Sequence, residues 1–248
     1  MISDKSPYFE PEEALNVGTF STDAERERYF RFGLNPREDA IVRSTFAGMG
    51  GRALDVGCGY GRTSRPLAEM GFRVTAIDIV PRMIAEARAA TPGVGFCVMS
   101  ATDLGFADAS FDCALFSANG IDCIAPQSKR LRALRELHRV LRPGGVLVYS
   151  AHNWAGFVST SLRIPSRGAE LLRNLVRGRL LPGYFRLRQP GGELVLHYGL
   201  PRMEVRALRA AGFKTAIVLP GKISPRLERL GRVAHRLFDV WPFYVASK

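Results

Sequence analysis

Between Arg52 and Ala151, short apolar runs alternate with amphipathic stretches. Arg52–Val56, Phe72–Ile79, Val94–Met99, Phe111–Ser117 and Val146–Ala151 read as strands. Arg62–Met70, Pro81–Ala90 and Ser128–Leu141 read as helices. Strands apolar along nearly their whole length are covered on both faces. Their alternation with helices predicts a doubly wound α/β fold, a mostly parallel sheet between two helical layers. In Ser128–Leu141, Leu131, Leu134, Leu137 and Leu141 recur at helical spacing, with Arg130, Arg132, Arg135 and Arg139 between them. That pattern is a surface helix docked on a sheet by one stripe.

The rhythm breaks on either side. Residues 1–20 read as an irregular lead-in, followed by helices over Thr22–Phe32 and from Pro36 to about Met49. These helices either lie over a ligand site or only cover a sheet edge. After Ala151, Pro165, Pro182, Pro190 and Gly191-Gly192 punctuate an insertion, with a helix over Gly168–Arg177. Regular structure resumes with a helix at Pro201–Ala211 and strands at Phe213–Leu219 and Trp241–Ser247. Between those strands, Leu227, Leu230, Ala234 and Leu237 form an amphipathic helical face. The expected organisation is a single domain: an N-terminal helical cap at 1–51, a core at 52–151, a lid insertion at 152–200 and a C-terminal core at 201–248.

Composition narrows the class. The chain has 248 residues, 46% of them hydrophobic, enough for a sizeable core and against wholesale disorder. No apolar run approaches the length of a membrane span, and the first residues carry acids rather than a signal-peptide core. The four cysteines, Cys58, Cys97, Cys113 and Cys123, form no CxxC pair and no Cys/His cluster. A structural zinc site is therefore not expected, and scattered thiols suit a reducing cytoplasm. The net charge of +12 points to an anionic partner or surface. It concentrates in an arginine-rich stretch from Arg163 to Arg188 and a second one from Lys222 to Arg236.

The sharpest chemical signal lies at the first strand end. Gly57, Gly59 and Gly61 follow Asp55 at alternate positions, a tight turn that lets a ligand approach the backbone. Open α/β sheets bind ligands at such carboxyl ends. The next end carries Asp78, at the distance where an acid accepts ribose hydroxyls. The third is the polar turn Ser100–Leu104, where Asp103 is a candidate acceptor for an exocyclic amine. Backbone, diol acceptor and amine acceptor together suit an adenosine. The G-x-G-x-G spacing departs from the G-x-G-x-x-G of dinucleotide sites, and Asp55 suits an ammonium better than a pyrophosphate. Gly61-Arg62-Thr63 lacks the lysine of a P-loop.

Taken in order, Leu54-Asp55-Val56-Gly57-Cys58-Gly59-Tyr60-Gly61, Ile77-Asp78, Ala101-Thr102-Asp103-Leu104, Phe111-Asp112 and Arg139-Val140-Leu141-Arg142-Pro143-Gly144-Gly145 resemble a class I S-adenosylmethionine-dependent methyltransferase of the broad type 11-like, small-molecule group. The likeness covers about Arg52–Ala151 and Pro201–Lys248. It implies a Rossmann-like seven-stranded sheet with its last strand antiparallel, and S-adenosylmethionine as cofactor. By the resemblance, Asp55 with Gly57, Cys58, Gly59 and Gly61 holds the methionine end. Asp78 takes the ribose and Ile79 packs on adenine. Asp103 and Leu104 contact the adenine edge, and Ser117 lies where the family contacts the cofactor's carboxylate or sulfonium side.

Methyl transfer from a sulfonium needs positioning above all. A base is required only where the acceptor loses a proton. Asn119 and Asp122, after the fourth strand, and His152, after the fifth, are the candidates, with His152 foremost because its intrinsic pKa suits the task. His197 and Tyr198 are further candidates that precede the last helix. The insertion is expected to be the acceptor lid, its aromatics Trp154, Phe157, Tyr184 and Phe185 enclosing an apolar acceptor. The leading expectation is a cytoplasmic enzyme that methylates a small-molecule or lipid-like acceptor. The alternatives are an RNA or protein methyltransferase using the arginine-rich stretches, a partner at an anionic membrane surface, or a non-catalytic cofactor-binding scaffold. The Asn-Pro-Pro-Tyr-like tetrad of amino-group methylases is absent after the fourth strand, where Ser117-Ala118-Asn119-Gly120 stands.

Overall fold

A computed structural model of the chain describes residues 11–30, 33–161, 181–220 and 239–248. The expected lid helix at Gly168–Arg177, the arginines from Arg163 to Arg179 and the whole second basic stretch lie outside the described residues. In chain order the elements are α1 (Pro11–Phe20), α2 (Asp23–Phe30), α3 (Pro36–Thr45), β1 (Arg52–Val56), α4 (Ser64–Glu69), β2 (Arg73–Asp78), α5 (Pro81–Ala90), β3 (Gly95–Val98) and β4 (Phe111–Phe116). A 3₁₀ turn at Gly120–Cys123 precedes α6 (Gln127–Val140) and β5 (Leu141–Ser150). Then come α7 (Trp154–Ser161), β6 (Gly183–Gln189), β7 (Gly192–Tyr198), α8 (Pro201–Ala210), β8 (Thr215–Leu219) and β9 (Phe243–Ser247).

Seven strands form one sheet in the order β3-β2-β1-β4-β5-β9-β8. The five strands from β3 to β5 are parallel, and β9 runs antiparallel to both β5 and β8. The doubly wound sheet and its antiparallel last strand are as the pattern predicts. The register sets Val56 beside Ile77, Asp78 beside Val98 and Asp55 beside Leu115, so the parallel strands end nearly in one row. That row is where the candidate site lies.

Alternation along each strand feeds two cores. Leu54, Val56 and Ala114 face α6 and α8, where Leu134, Leu137 and Leu208 are fully buried. Ala53, Cys113 and Leu115 face the other layer, with Val42, Leu67 and Ile84. The motif after α6 holds the sheet together rather than a ligand. Arg139 donates to the carbonyls of Leu104 and Phe106, and Glu136 accepts from the Leu104 amide. Asp112 accepts from the Arg52 amide and pairs with Arg142.

Three expectations need correction. The lead-in at 1–20 contains a helix, α1. Its mixed polarity hid it, because its buried side includes Glu13, Asn16 and Thr19. The insertion holds a second, two-stranded sheet, β6–β7, joined through Gln189–Gly192. Pro190-Gly191-Gly192, taken as loop punctuation, is the hairpin turn. Finally, Arg130 is not on a solvated face; it is buried, 1% exposed, beneath α6.

Candidate functional site

The chain turns sharply where β1 ends. Gly57 and Gly59 both take positive φ, 61° and 54°. A Cβ on Gly57 would stand 2.8 Å from the Phe116 ring, so glycine lets β4's last side chain close over the turn. A Cβ on Gly59 would project toward Met83, 3.7 Å from its sulfur, filling space between two parts of one cavity wall. Asp78 completes the turn. One carboxylate oxygen accepts from the Gly59 amide and the other from the Val80 amide, each at 2.9 Å. Each oxygen keeps a lone-pair site for a further donor. Burial raises the Asp78 pKa, and the backbone donors oppose that shift.

A single cavity runs along this row of strand ends. Of the expected cofactor-binding residues, Gly57, Cys58, Gly59, Asp78, Ile79 and Ser117 line it. Met99, Ser100 and Ala101 supply the wall beyond β3. The other four expected residues do not reach it. Asp55 is fully buried behind the turn, where its carboxylate accepts from the hydroxyls of Thr63 and Ser64 at 2.6 to 2.8 Å. Burial pushes its pKa up to about 6, against those hydrogen bonds. Asp55 thus anchors the start of α4, away from the cavity wall. Gly61 packs under Phe96 and Ala87. The Asp103 amide donates to the Ser100 carbonyl, and that turn throws its side chain outward. Its carboxylate is 85% exposed, 3.6 Å from Arg132. Leu104 is a core residue. The sequence signal that separates Ser100 from Asp103 is only which one lies nearer the strand end.

The roof comes from the N-terminal helices, which resolves the two open readings: α1 and α2 lie over the site. Val17 and Phe20 of α1 and Tyr29 of α2 line the cavity opposite the turn, with Phe116, Cys123 and Ile124 beside them. The acceptor side is accordingly apolar, and burial pushes the Cys58 and Cys123 thiols up so that they stay neutral. Among the described residues of the insertion none lines this cavity. Trp154, Phe157 and Phe185 instead form their own core with Leu187 and Tyr198, Trp154 stacking on Phe185 at 5.1 Å. The hairpin supports the roof from outside. Asn16 of α1 donates to the Val195 carbonyl and accepts from the Val195 amide, like an extra strand residue.

The three catalytic candidates meet. His152 Nδ1 lies 2.9 Å from Asp122 Oδ2, and the same oxygen accepts from the His152 amide. Asn119 Nδ2 lies 3.4 Å from His152 Nε2. Asp122 is buried, yet Arg130 and the two histidines outweigh burial and hold its pKa down at about 2. An ionised Asp122 makes Nδ1 the protonated nitrogen and leaves Nε2 as an acceptor. His197 joins the cluster with Nδ1 3.7 Å from Asp122 Oδ1, and Arg130 ties it to Glu204 of α8 at 3.1 Å. The triad stands beside the wall rather than on it: Ala118, Gly120 and Cys123 line the cavity, while Asn119, Asp122 and His152 do not. Ala118 and Asn119 both hold positive φ, 50° and 57°, a backbone that side chains rarely adopt. Asn119 Oδ1 is buried without a hydrogen-bond partner among the described residues.

Comparison with known proteins agrees with this geometry. Residues 54–149 match the family model described as a methyltransferase domain. A demethylmenaquinone methyltransferase of Beutenbergia cavernae is 39% identical over 121 residues, 48% of this chain and 49% of that protein. A malonyl-[acyl-carrier protein] O-methyltransferase of Enterobacter lignolyticus is 35% identical over 112 residues, 45% of this chain and 43% of that one. The alignments thus span about half the length of these relatives. A solved S-adenosylmethionine-dependent methyltransferase of Methanosarcina mazei shares the fold, with a TM-score of 0.64 at 24% identity, covering 88% of this chain and 99% of that one. So does the CcbJ methyltransferase of Streptomyces caelestis, at 0.63 and 16%, covering 97% and 99%. The glycine turn, the buried Asp78 beside it and the strand order agree with these likenesses: residues 54–149 are similar to a methyltransferase domain, and the chain has the fold of solved S-adenosylmethionine-dependent methyltransferases.

Proposed function

We propose that this protein transfers a methyl group from S-adenosylmethionine to a small, largely apolar acceptor. The observation that carries this reading is the continuity of one cavity from Asp78 to the apolar compartment under α1, made by Val17, Phe20, Tyr29, Phe116 and Ile124. The named activities of the relatives, on demethylmenaquinone and on malonyl-[acyl-carrier protein], support a small or lipid-like acceptor.

The bound cofactor supplies an already activated methyl electrophile. The chain's own part is to bind, orient and exclude water. Asp78 takes the two ribose hydroxyls, one per carboxylate oxygen. Gly57 and Gly59 let the backbone approach. Met99, Ser100 and Ala101 take the adenine side, in place of Asp103 and Leu104. The apolar roof places the acceptor in line and keeps water out. For a hydroxyl acceptor, His152 Nε2 receives the proton, with Asp122 holding the ring.

Incubating the protein with S-adenosylmethionine labelled in the methyl group and with separate metabolite, lipid, RNA and protein fractions tests the acceptor class. Label is expected in the small-molecule or lipid fraction. Label confined to RNA or protein would overturn the reading. By calorimetry, Asp78→Ala should weaken S-adenosylhomocysteine binding by about 10- to 100-fold, the worth of hydrogen bonds to a charged acceptor.

A further inference from the structure

Four charged or amide side chains line the cavity among the described residues: Glu13, Asn16, Arg62 and Asp78. Asp78 stands at the glycine turn, where the ribose is read. Two of the others are already spent on the protein. Asn16 bonds the Val195 amide and carbonyl and the Cys123 carbonyl. Arg62 gives its Nη hydrogens to Glu38, Ser117 and the Gly33 carbonyl. Glu13 is different. Its Oε2 accepts from Lys129 Nζ at 2.9 Å, and its Oε1 has no hydrogen-bond partner among the described residues.

The helix decides where along the cavity that oxygen stands. Glu13, Asn16, Val17 and Phe20 fall at i, i+3, i+4 and i+7, one face of α1, and all four line the cavity. Val17 and Phe20 pack with Val80 and Met83, beyond the end of β2. Glu13 lies about 10 Å back along the axis from Phe20. There it meets Lys129 of α6, while Asn16 between them donates to the Cys123 carbonyl of the 3₁₀ turn. Glu13 thus stands at the end of the cavity away from the adenosine, on the acceptor's side.

The Glu13 side chain is 9% exposed and that of Lys129 28%. The lysine offsets the cost of burying the carboxylate. The pair carries no net charge, so it gives little hold to an ammonium. What is left is an oxygen that can only accept, beside Val17 and Ile124. An apolar ligand that expels water and brings no donor strands that oxygen. A ligand with a hydroxyl there satisfies it, and a carboxylate ligand has no proton to offer.

We infer that Glu13 recognises the acceptor, accepting a hydrogen bond from a neutral hydroxyl on an otherwise apolar molecule. This rests on the methyl-transfer reading of the cavity and narrows its acceptor to an alcohol or a phenol. It makes Glu13 a specificity residue and gives the first turn of α1 a part in choosing the substrate.

The probes are 2-naphthol and 2-methoxynaphthalene, which share a skeleton and differ in the hydroxyl hydrogen. Each is titrated by fluorescence into protein saturated with S-adenosylhomocysteine, as wild type, Glu13→Met and Lys129→Met. Wild type should bind 2-naphthol about 10- to 100-fold more tightly than the ether. Glu13→Met, similar in size but without the oxygens, should bring the two within about threefold. Lys129→Met breaks the same ion pair yet keeps the carboxylate, and should keep the preference. S-Adenosylhomocysteine affinity within about twofold of wild type, by calorimetry, reports that each variant is folded. Equal affinities in wild type, a preference that survives Glu13→Met, or a preference lost equally in Lys129→Met would overturn the assignment. S-Adenosylhomocysteine bound with neither naphthalene would overturn the apolar-acceptor reading beneath it, and no S-adenosylhomocysteine bound would overturn the cofactor reading.

Discussion

Asp55 and Asp122 are both fully buried carboxylates, and their surroundings push them in opposite directions. Asp55 is hydrogen-bonded only by neutral hydroxyls, and burial outweighs them, so its pKa rises to about 6. A raised pKa in the folded state means its stabilisation is complete below the unfolded value near 4 and is lost as pH rises through 6. The change across that window is about 3 kcal/mol. Asp55→Asn should therefore gain on wild type as pH rises from 4 to 6.5, which urea unfolding at several pH values would measure. A constant difference would contradict the buried, hydroxyl-bound state. Asp122 is held down by Arg130 and the histidines, so its contribution persists above pH 4 and fades as pH falls toward 2. That ionised Asp122 is what fixes the His152 tautomer. With a hydroxyl acceptor, His152→Gln should cut kcat about 100-fold and leave S-adenosylhomocysteine affinity unchanged. Unchanged kcat would assign the cluster to folding alone.

At the scale of elements, the roof depends on one residue more than on its length. α1 meets the hairpin through Asn16, which bonds the Val195 amide and carbonyl and the Cys123 carbonyl, and through Thr19, which donates to the Glu193 carbonyl. On the other side, α2 meets α5 through surface ion pairs, Arg82 with Asp23 and Arg26 with Glu86, and through Tyr29 in the cluster around Met83. Exposed pairs contribute little, whereas losing Asn16 strands buried backbone groups, each costing about 1–3 kcal/mol. Asn16→Ala should raise hydrogen exchange in α1 and β7 while β1, β2 and β4 stay protected. Uniform loss of protection would mean that the roof and sheet unfold as one unit. The helices of the core were legible because a single stripe faces a single layer, as Pro81–Ala90 illustrates, observed at the predicted bounds. α1 and the hairpin were not legible for the same reason inverted. Their partners are each other, and a helix that buries Asn16 and Thr19 against a strand edge carries no apolar stripe.

For the molecule as a whole, the buried ion cluster joins parts far apart in sequence. Arg130 donates to Asp122 of the 3₁₀ turn, to Glu204 of α8 and to the Ile121 carbonyl, and Glu204 also accepts from the Tyr149 hydroxyl of β5. Two carboxylates share one guanidinium with all three side chains about 1% exposed or less. Breaking such a cluster by removing one member costs about 3–5 kcal/mol, because the charges left behind are uncompensated. Arg130→Met should therefore lower the urea midpoint severely. Arg132→Met, on the exposed neighbour in the same helix, should change the unfolding free energy by less than about 0.5 kcal/mol. Similar effects from the two would mean that the helix, and not the cluster, is what matters.

The sequence by itself determined the sheet, its two helical layers, the glycine turn and Asp78, because each depends on local periodicity or on conformations only certain residues adopt. It also supplied Asn119, Asp122 and His152 as candidates. Tertiary structure decided which of the polar residues face the cavity. Asp55 and Asp103 sit in motifs as persuasive as that of Asp78, yet one turns inward to two hydroxyls and the other outward to water. A side chain's type sets what chemistry it can perform. Its neighbours set whether that chemistry is already spent, and those neighbours come together only when the chain folds.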